Sequence, residues 1–177
     1  MKRIACFIVV VLLCLALPAK TTVFLRLDKV VKGTGGRELK PEGKNSFGDE
    51  TLAISWDPAP EGFQFEMTNK GAAALSIIWG ECSFVNENRK SSKIAYGEIG
   101  PQTEIAAGAR YEGMAAPADY LFWSGKSWTI FPIFQEKMND KQFALIADKE
   151  LIYKVKLAFK RGGKKMFYLF IFKAFAR

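Results

Sequence analysis

The 177-residue sequence predicts an all-β protein, an antiparallel β-sandwich of eight or nine short strands, on three observations. Apolar and polar residues alternate with period two, as in Phe63, Phe65 and Met67 against Gln64, Glu66 and Thr68. Turn signals such as Asn69-Lys70-Gly71, Asn86-Glu87-Asn88-Arg89 and Gly162-Gly163 recur every several residues. A helical pattern is confined to residues 139–147, about two turns at most.

In chain order, residues 1–19 have the layout of a secretory signal peptide. Lys2 and Arg3 precede an apolar run from Ile4 to Leu17, then Pro18-Ala19, and the run is shorter than the ~20 residues of a membrane span. The expectation is export, to the periplasm, the cell surface or the medium. Cys14 raises an alternative, lipidation, but Leu13 before it is not small and Cys14 sits inside the hydrophobic run, so simple cleavage near Ala19 is preferred. Leu17, only tolerable two places before a cut, leaves an uncut N-terminal anchor as a further alternative. Cleavage leaves 158 residues of net charge +6, enough for one domain burying ~70% of its unfolded surface. The composition excludes a disordered, collagen-like, coiled-coil or disulfide-dense chain.

Residues 20–48 read as a basic, Gly-rich linker with a candidate first strand, Thr22 to Val31, and residues 49–177 as the sandwich domain. Strands follow at Thr51 to Trp56, Gly62 to Asn69, Ala74 to Val85 and Ser92 to Tyr96. Gly80 falls where the apolar parity of its strand changes, which predicts a bulge or sharp bend there. Gly97 to Asp119 is weakly patterned, with a strand at Thr103 to Ala107. Tyr120 to Trp123 and Ser127 to Phe134 form two more, and Pro132 assigns the second to an edge or ends it early.

The terminal hairpin is the best-defined element. Leu151, Tyr153, Val155, Leu157 and Phe159 share one face of its first strand, and Gly162-Gly163 supplies the positive φ values of a two-residue turn. That turn sets Arg161 opposite Lys164, then Phe159 with Met166, Leu157 with Tyr168, Val155 with Phe170 and Tyr153 with Phe172. The opposite face carries Phe167, Leu169 and Ile171 beside Ala158, Lys156 and Lys154. Either that face is covered by a loop, the N-terminal strand or lysine stems, the preferred explanation, or it meets a partner or an anionic membrane surface.

Charge is concentrated at this hairpin. Residues 149–177 hold 9 basic residues against 1 acidic, net +8, whereas residues 20–148 are net −2. Lys154, Lys156, Lys160, Lys164 and Lys165, with Phe167, Leu169 and Ile171, are therefore the candidate partner-binding residues, for an envelope protein or an anionic membrane surface. A solvated edge guarded by lysines is the plainer alternative. Nucleic acid is not expected as a partner, because no recognised binding motif accompanies the patch. Tyr120, Trp123 and Trp128 form an alternative site, an aromatic surface for a polysaccharide, against the plainer expectation that they pack internally. Trp56 and Trp79 are assigned to the core.

Catalysis is not expected. The chain has no His, so a triad, a Cys–His pair and a His-based zinc site are all impossible. Cys82, the single thiol past the leader, reads as a small buried hydrophobe without an adjacent base. Asp57 with Glu61, or Asp49 with Glu50, could be nominated as a carboxylate pair, but solvated loop acids beside Pro and Gly are the simpler account. No phosphate-binding or calcium-binding loop motif occurs, and no cofactor is implied.

One resemblance adds to this reading. Ile54-Ser55-Trp56, then Phe63-Gln64-Phe65-Glu66-Met67-Thr68-Asn69-Lys70, then Ile77-Ile78-Trp79-Gly80-Glu81-Cys82-Ser83-Phe84-Val85 and Ser91-Ser92-Lys93-Ile94, resembles a pattern in small exported bacterial proteins, often lipoproteins. It covers roughly half of the chain past the leader. It implies an immunoglobulin-like sandwich at the cell envelope and brings no activity with it.

Overall fold

The computed structural model of the chain describes residues 20–95, 102–139, 141, 142 and 150–176. The expected leader, with Cys6 and Cys14, lies outside the described residues, as does most of the expected helix at 139–147. Its beginning is within them: Gln142 N–H donates to Asn139 Oδ1 at 2.9 Å and Asn139 N–H to Gln142 Oε1 at 3.2 Å, the reciprocal pair of a helix N-terminus.

The expected all-β, antiparallel architecture is what the chain forms. Fifteen strands are described: β1 (Lys20–Lys32), β2 (Arg37–Leu39), β3 (Ser46–Gly48), β4 (Leu52–Ala59), β5 (Gly62–Asn69), β6 (Leu75–Ile78), β7 (Ser83–Val85), β8 (Ser91–Ala95), β9 (Gln102–Ile105), β10 (Arg110–Pro117), β11 (Leu121–Trp123), β12 (Trp128–Ile130), β13 (Lys137–Asn139), β14 (Ile152–Arg161) and β15 (Lys164–Ala176). One sheet runs β13-β1-β15-β14-β7-β8-β10-β5-β4-β3, with β2 beside β1, β6 beside β14 and β9 beside β6; β11 and β12 form a separate ribbon. Hydrogen bonding passes through β8 from the β1-β15-β14 layer to the β10-β5-β4 layer. The two facing layers therefore belong to one curled sheet, a half-barrel.

Aromatic packing closes the curl. Trp56 on β4 lies 4.9 Å from Phe170 and 5.5 Å from Phe172 on β15, while Phe63 on β5 lies 5.2 Å from Phe84 and 4.9 Å from Phe172. Offset and edge contacts of this kind add stability beyond area burial. Trp56 and Trp79 sit in the core as the sequence indicates. The terminal hairpin has the register its two glycines dictate, with Arg161 opposite Lys164 and Tyr153 opposite Phe172, and both glycines have positive φ.

Residues 20–48 contribute β1, β2 and β3, and β1 pairs with β15 along most of its length. Asp28 is an extra residue where the β1–β15 register shifts, so Leu27 and Val30 both reach the core. At Gly80 the expected bend is a single 3₁₀ turn, Trp79–Glu81. It drops Cys82 into the core, where its Sγ accepts from Ala158 N–H at 3.3 Å in place of a strand partner.

The open seam between β1 and β3 is braced by residues 44–51. Leu27 N–H donates to Lys44 O and to Asn45 Oδ1, and Lys32 Nζ donates to Asp49 Oδ2 at 2.6 Å and Glu50 Oε1 at 2.7 Å. Tyr168 OH also donates to Asp49 Oδ2, at 2.7 Å, and Thr51 and Leu52 N–H donate to Asp49 Oδ1. Burial pushes the Tyr168 hydroxyl up to about 12.

Candidate functional site

The outer face of β14-β15-β1 is built by simple alternation. Core residues Tyr153, Val155 and Leu157 on β14, and Tyr168, Phe170 and Phe172 on β15, point inward, so Lys154, Lys156 and Lys160 and then Lys165, Phe167, Leu169 and Ile171 point outward. Seven of the eight candidate residues thus share one surface. Lys164 does not: opposite Arg161, it has the inward parity. Arg161 itself turns to donate to Thr51 O and Asn69 Oδ1.

The neighbouring strand enlarges this surface. Lys29 lies opposite Ile171, Val31 opposite Leu169 and Arg26 opposite Lys173. Ile171 is thereby set between Lys154 and Lys29, and Leu169 between Lys156 and Val31. Ile171 is 9% exposed and Phe167 and Leu169 are half-buried. Lysine stems supply part of that cover, since Lys156 Nζ lies 5.1 Å from the Phe167 ring centre. Arg26 lies over the stacked rings of Phe24 and Phe175 at one end of the face.

The ionic partners on this surface are unequal. Lys29 pairs with Glu38, Lys165 with Glu81, and Lys173 with Glu150 and Asp28. Lys154, Lys156, Lys160 and Arg26 have no carboxylate partner among the described residues. These four are the cations free to meet an anion.

The second candidate surface is the β11–β12 ribbon, joined by Ser124-Gly125-Lys126-Ser127. The plainer expectation of internal packing fails for its tip, because Trp123 is 57% exposed and Trp128 68%. They pair across the strands with ring centres 5.8 Å apart and planes at 66°. Tyr120 stands apart from them: it is half-buried at the ribbon base, where its hydroxyl accepts from Asn86 Nδ2 at 3.1 Å. Phe131, 55% exposed, stacks on Phe122 at 4.1 Å. The structure thus brings Trp123 and Trp128 together and leaves Tyr120 out.

The nominated carboxylates have other roles. Asp49 is spent on the seam, and burial there, which alone would raise its pKa, is outweighed by hydrogen bonds from Lys32, Tyr168 and the Leu52 and Thr51 amides. Asp57 and Glu61 are exposed. Cys82 is 2% exposed and burial pushes its thiol up to about 11. Among the described residues no group of three His, Cys, Asp or Glu could hold a metal ion. What this arrangement can do chemically is attract anions and cover apolar surface.

Arg26, Lys29 and Val31 were missed from sequence. Their period-two pattern was present in Thr22 to Val31, but the Asp28 bulge breaks it and the β1–β15 pairing is long-range.

No family model matches the chain, and no curated protein does. A solved structure described as "X-ray structure of Northeast Structural Genomics Consortium target SoR45" aligns with 91% of this chain and 88% of its own, at 12% identity and a TM-score of 0.30. A likeness at that score carries no argument about fold or function.

Proposed function

We propose that the protein is a non-catalytic, exported module of the cell envelope that docks on an anionic surface through the outer face of β14, β15 and β1. The observation that carries this is the apolar stripe Phe167-Leu169-Ile171 flanked by cations, of which Lys154, Lys156 and Lys160 lack carboxylate partners among the described residues. Such a face attracts negative charge at long range and offers contact area at short range. Export is supported by the layout of residues 1–19, and the envelope setting by the resemblance of residues 54–94 to small exported bacterial proteins.

Each cation near an anionic bilayer contributes roughly 1 kcal/mol. Reversing two charges, in Lys154→Glu with Lys156→Glu, therefore weakens co-sedimentation with phosphatidylglycerol vesicles about a hundredfold or more at low salt, and less at high salt. Equal binding by parent and double variant at both salt levels overturns the proposal. The alternative, glycan binding by the aromatic ribbon, is favoured by the exposure of Trp123 and Trp128. Its support is weaker because Tyr120 is engaged elsewhere and the two indoles do not form a flat platform. Quenching of tryptophan emission by envelope polysaccharides, lost in Trp128→Ala, would raise it above the first reading.

A further inference from the structure

The β11–β12 ribbon is apolar on both sides. By alternation Leu121, Trp123, Trp128 and Ile130 occupy one face, while Phe122 and Phe131 stack on the other. A two-stranded ribbon with no third strand has little stability of its own. This one leaves three large rings more than half exposed to water. Exposed aromatic surface on both faces is what a ribbon entering an apolar medium needs, and a sugar-binding platform needs only one.

Charge narrows the choice of medium. From Tyr120 to Gln135 there is no acidic residue, and the single charge is Lys126 at the tip. Asp119, just below the base, is held by Lys90 at 2.8 Å. Tryptophan rings favour the bilayer–water interface, and lysine there pairs with anionic head groups. Along the chain the ribbon leads to β13, which pairs with the start of β1, just before Phe24 and Arg26 of the cationic face.

We infer that the β11–β12 ribbon is an interfacial anchor that places Trp123, Trp128 and Phe131 among the head groups and upper acyl chains of an anionic lipid bilayer. The inference rests on the proposed docking to an anionic surface and names that surface as lipid.

The full chain past residue 19 reports on this directly, because Trp56 and Trp79 are buried and Trp123 and Trp128 are the exposed indoles. Adding phosphatidylglycerol vesicles is expected to shift tryptophan emission to shorter wavelength, with quenching by lipids brominated high on the acyl chain. Trp123→Ala with Trp128→Ala is expected to abolish the shift and weaken vesicle binding roughly tenfold or more, as expected for withdrawing part of two rings from water. Unchanged circular dichroism establishes that the variant is folded; Trp128→Ser alone, with a partial loss of both signals, serves if the double variant is not. Vesicle binding with no emission change overturns the anchor and leaves the basic face standing. Loss of the emission shift in Lys154→Glu/Lys156→Glu at low lipid but its return at high lipid supports both surfaces acting together. No binding by the parent to any anionic vesicle overturns both. A dimer in sedimentation velocity that Trp128→Ala dissolves, with no vesicle-induced shift, assigns the ribbon to a second copy and overturns the anchor.

Discussion

Asp49 and Glu50 both pair with Lys32, at nearly equal distances, yet their removal should have very different consequences. The Asp49 side chain is 9% exposed and that of Glu50 80%. In Asp49→Ala the hydroxyl of fully buried Tyr168 loses its acceptor, at a cost of roughly 1–3 kcal/mol, and the Thr51 and Leu52 amides lose theirs. Lys32 keeps Glu50, which limits the penalty of an uncompensated charge. The sum is about 3–4 kcal/mol, or a fall in Tm of about 10 °C for a chain of this size. Glu50→Ala should lower Tm by no more than about 2 °C, as exposed pairs contribute little. Thermal unfolding followed by far-UV circular dichroism, with urea titration to extract the free energy, separates the two. Equal, small losses in both variants would refute the claim that buried hydrogen bonding at the seam, rather than charge pairing, holds the curled sheet together.

The same carboxylate sets a pH dependence. Its folded-state pKa lies below the ordinary 3.8, so its contribution is present above 3.8 and is lost as pH falls through the lower folded-state value. The stability gap between the parent and Asp49→Asn should be constant near neutrality and close in acid; a gap that widens in acid would reverse the sign of the argument. Cys82, buried with its thiol raised to about 11, should resist an aromatic disulfide reagent at pH 8 in the native protein and react only as fast as the chain unfolds. Rapid native-state reaction would show an accessible thiolate.

The terminal hairpin was legible because two adjacent glycines fix a turn, and a fixed turn fixes every pair along both strands. The strand β10 was not. It contains Gly113, Ala115 and Ala116, too small to show an alternating pattern, because the aromatic rings of β5 fill the space above them. Gly113 lies opposite Phe65, and a Cβ there would come within 2.6 Å of that ring. The short β2 and β3 were hidden among turn residues, and β4 outran its expected end at Trp56. It continues through Pro58 because β3 covers only Ala53–Ser55, leaving no neighbouring strand on that side to miss the absent N–H. Ser127 to Phe134 erred the other way. Only Trp128–Ile130 pairs, since the strand stops short of Pro132.

The candidate site was half legible for the same reason. Alternation within β14 and β15 sets Lys154, Lys156, Lys160, Lys165 and the stripe on one face, and Lys164 on the other. Nothing local to those strands could reveal that β1 lies alongside with Arg26 and Lys29. Exposure of Trp123 and Trp128 entered only as the alternative to internal packing, because a ribbon apolar on both sides has the composition of a buried one.

The docking claim is tested most directly by lysine footprinting of the native protein, with acetylation rates read by mass spectrometry in the presence and absence of phosphatidylglycerol vesicles. Lys154, Lys156 and Lys160 should be protected several-fold on binding, while Lys70, in the turn after β5, keeps its rate. Protection of Lys70 with undiminished modification of Lys154 and Lys156 would contradict the assignment of the outer face of β14, β15 and β1 as the docking surface.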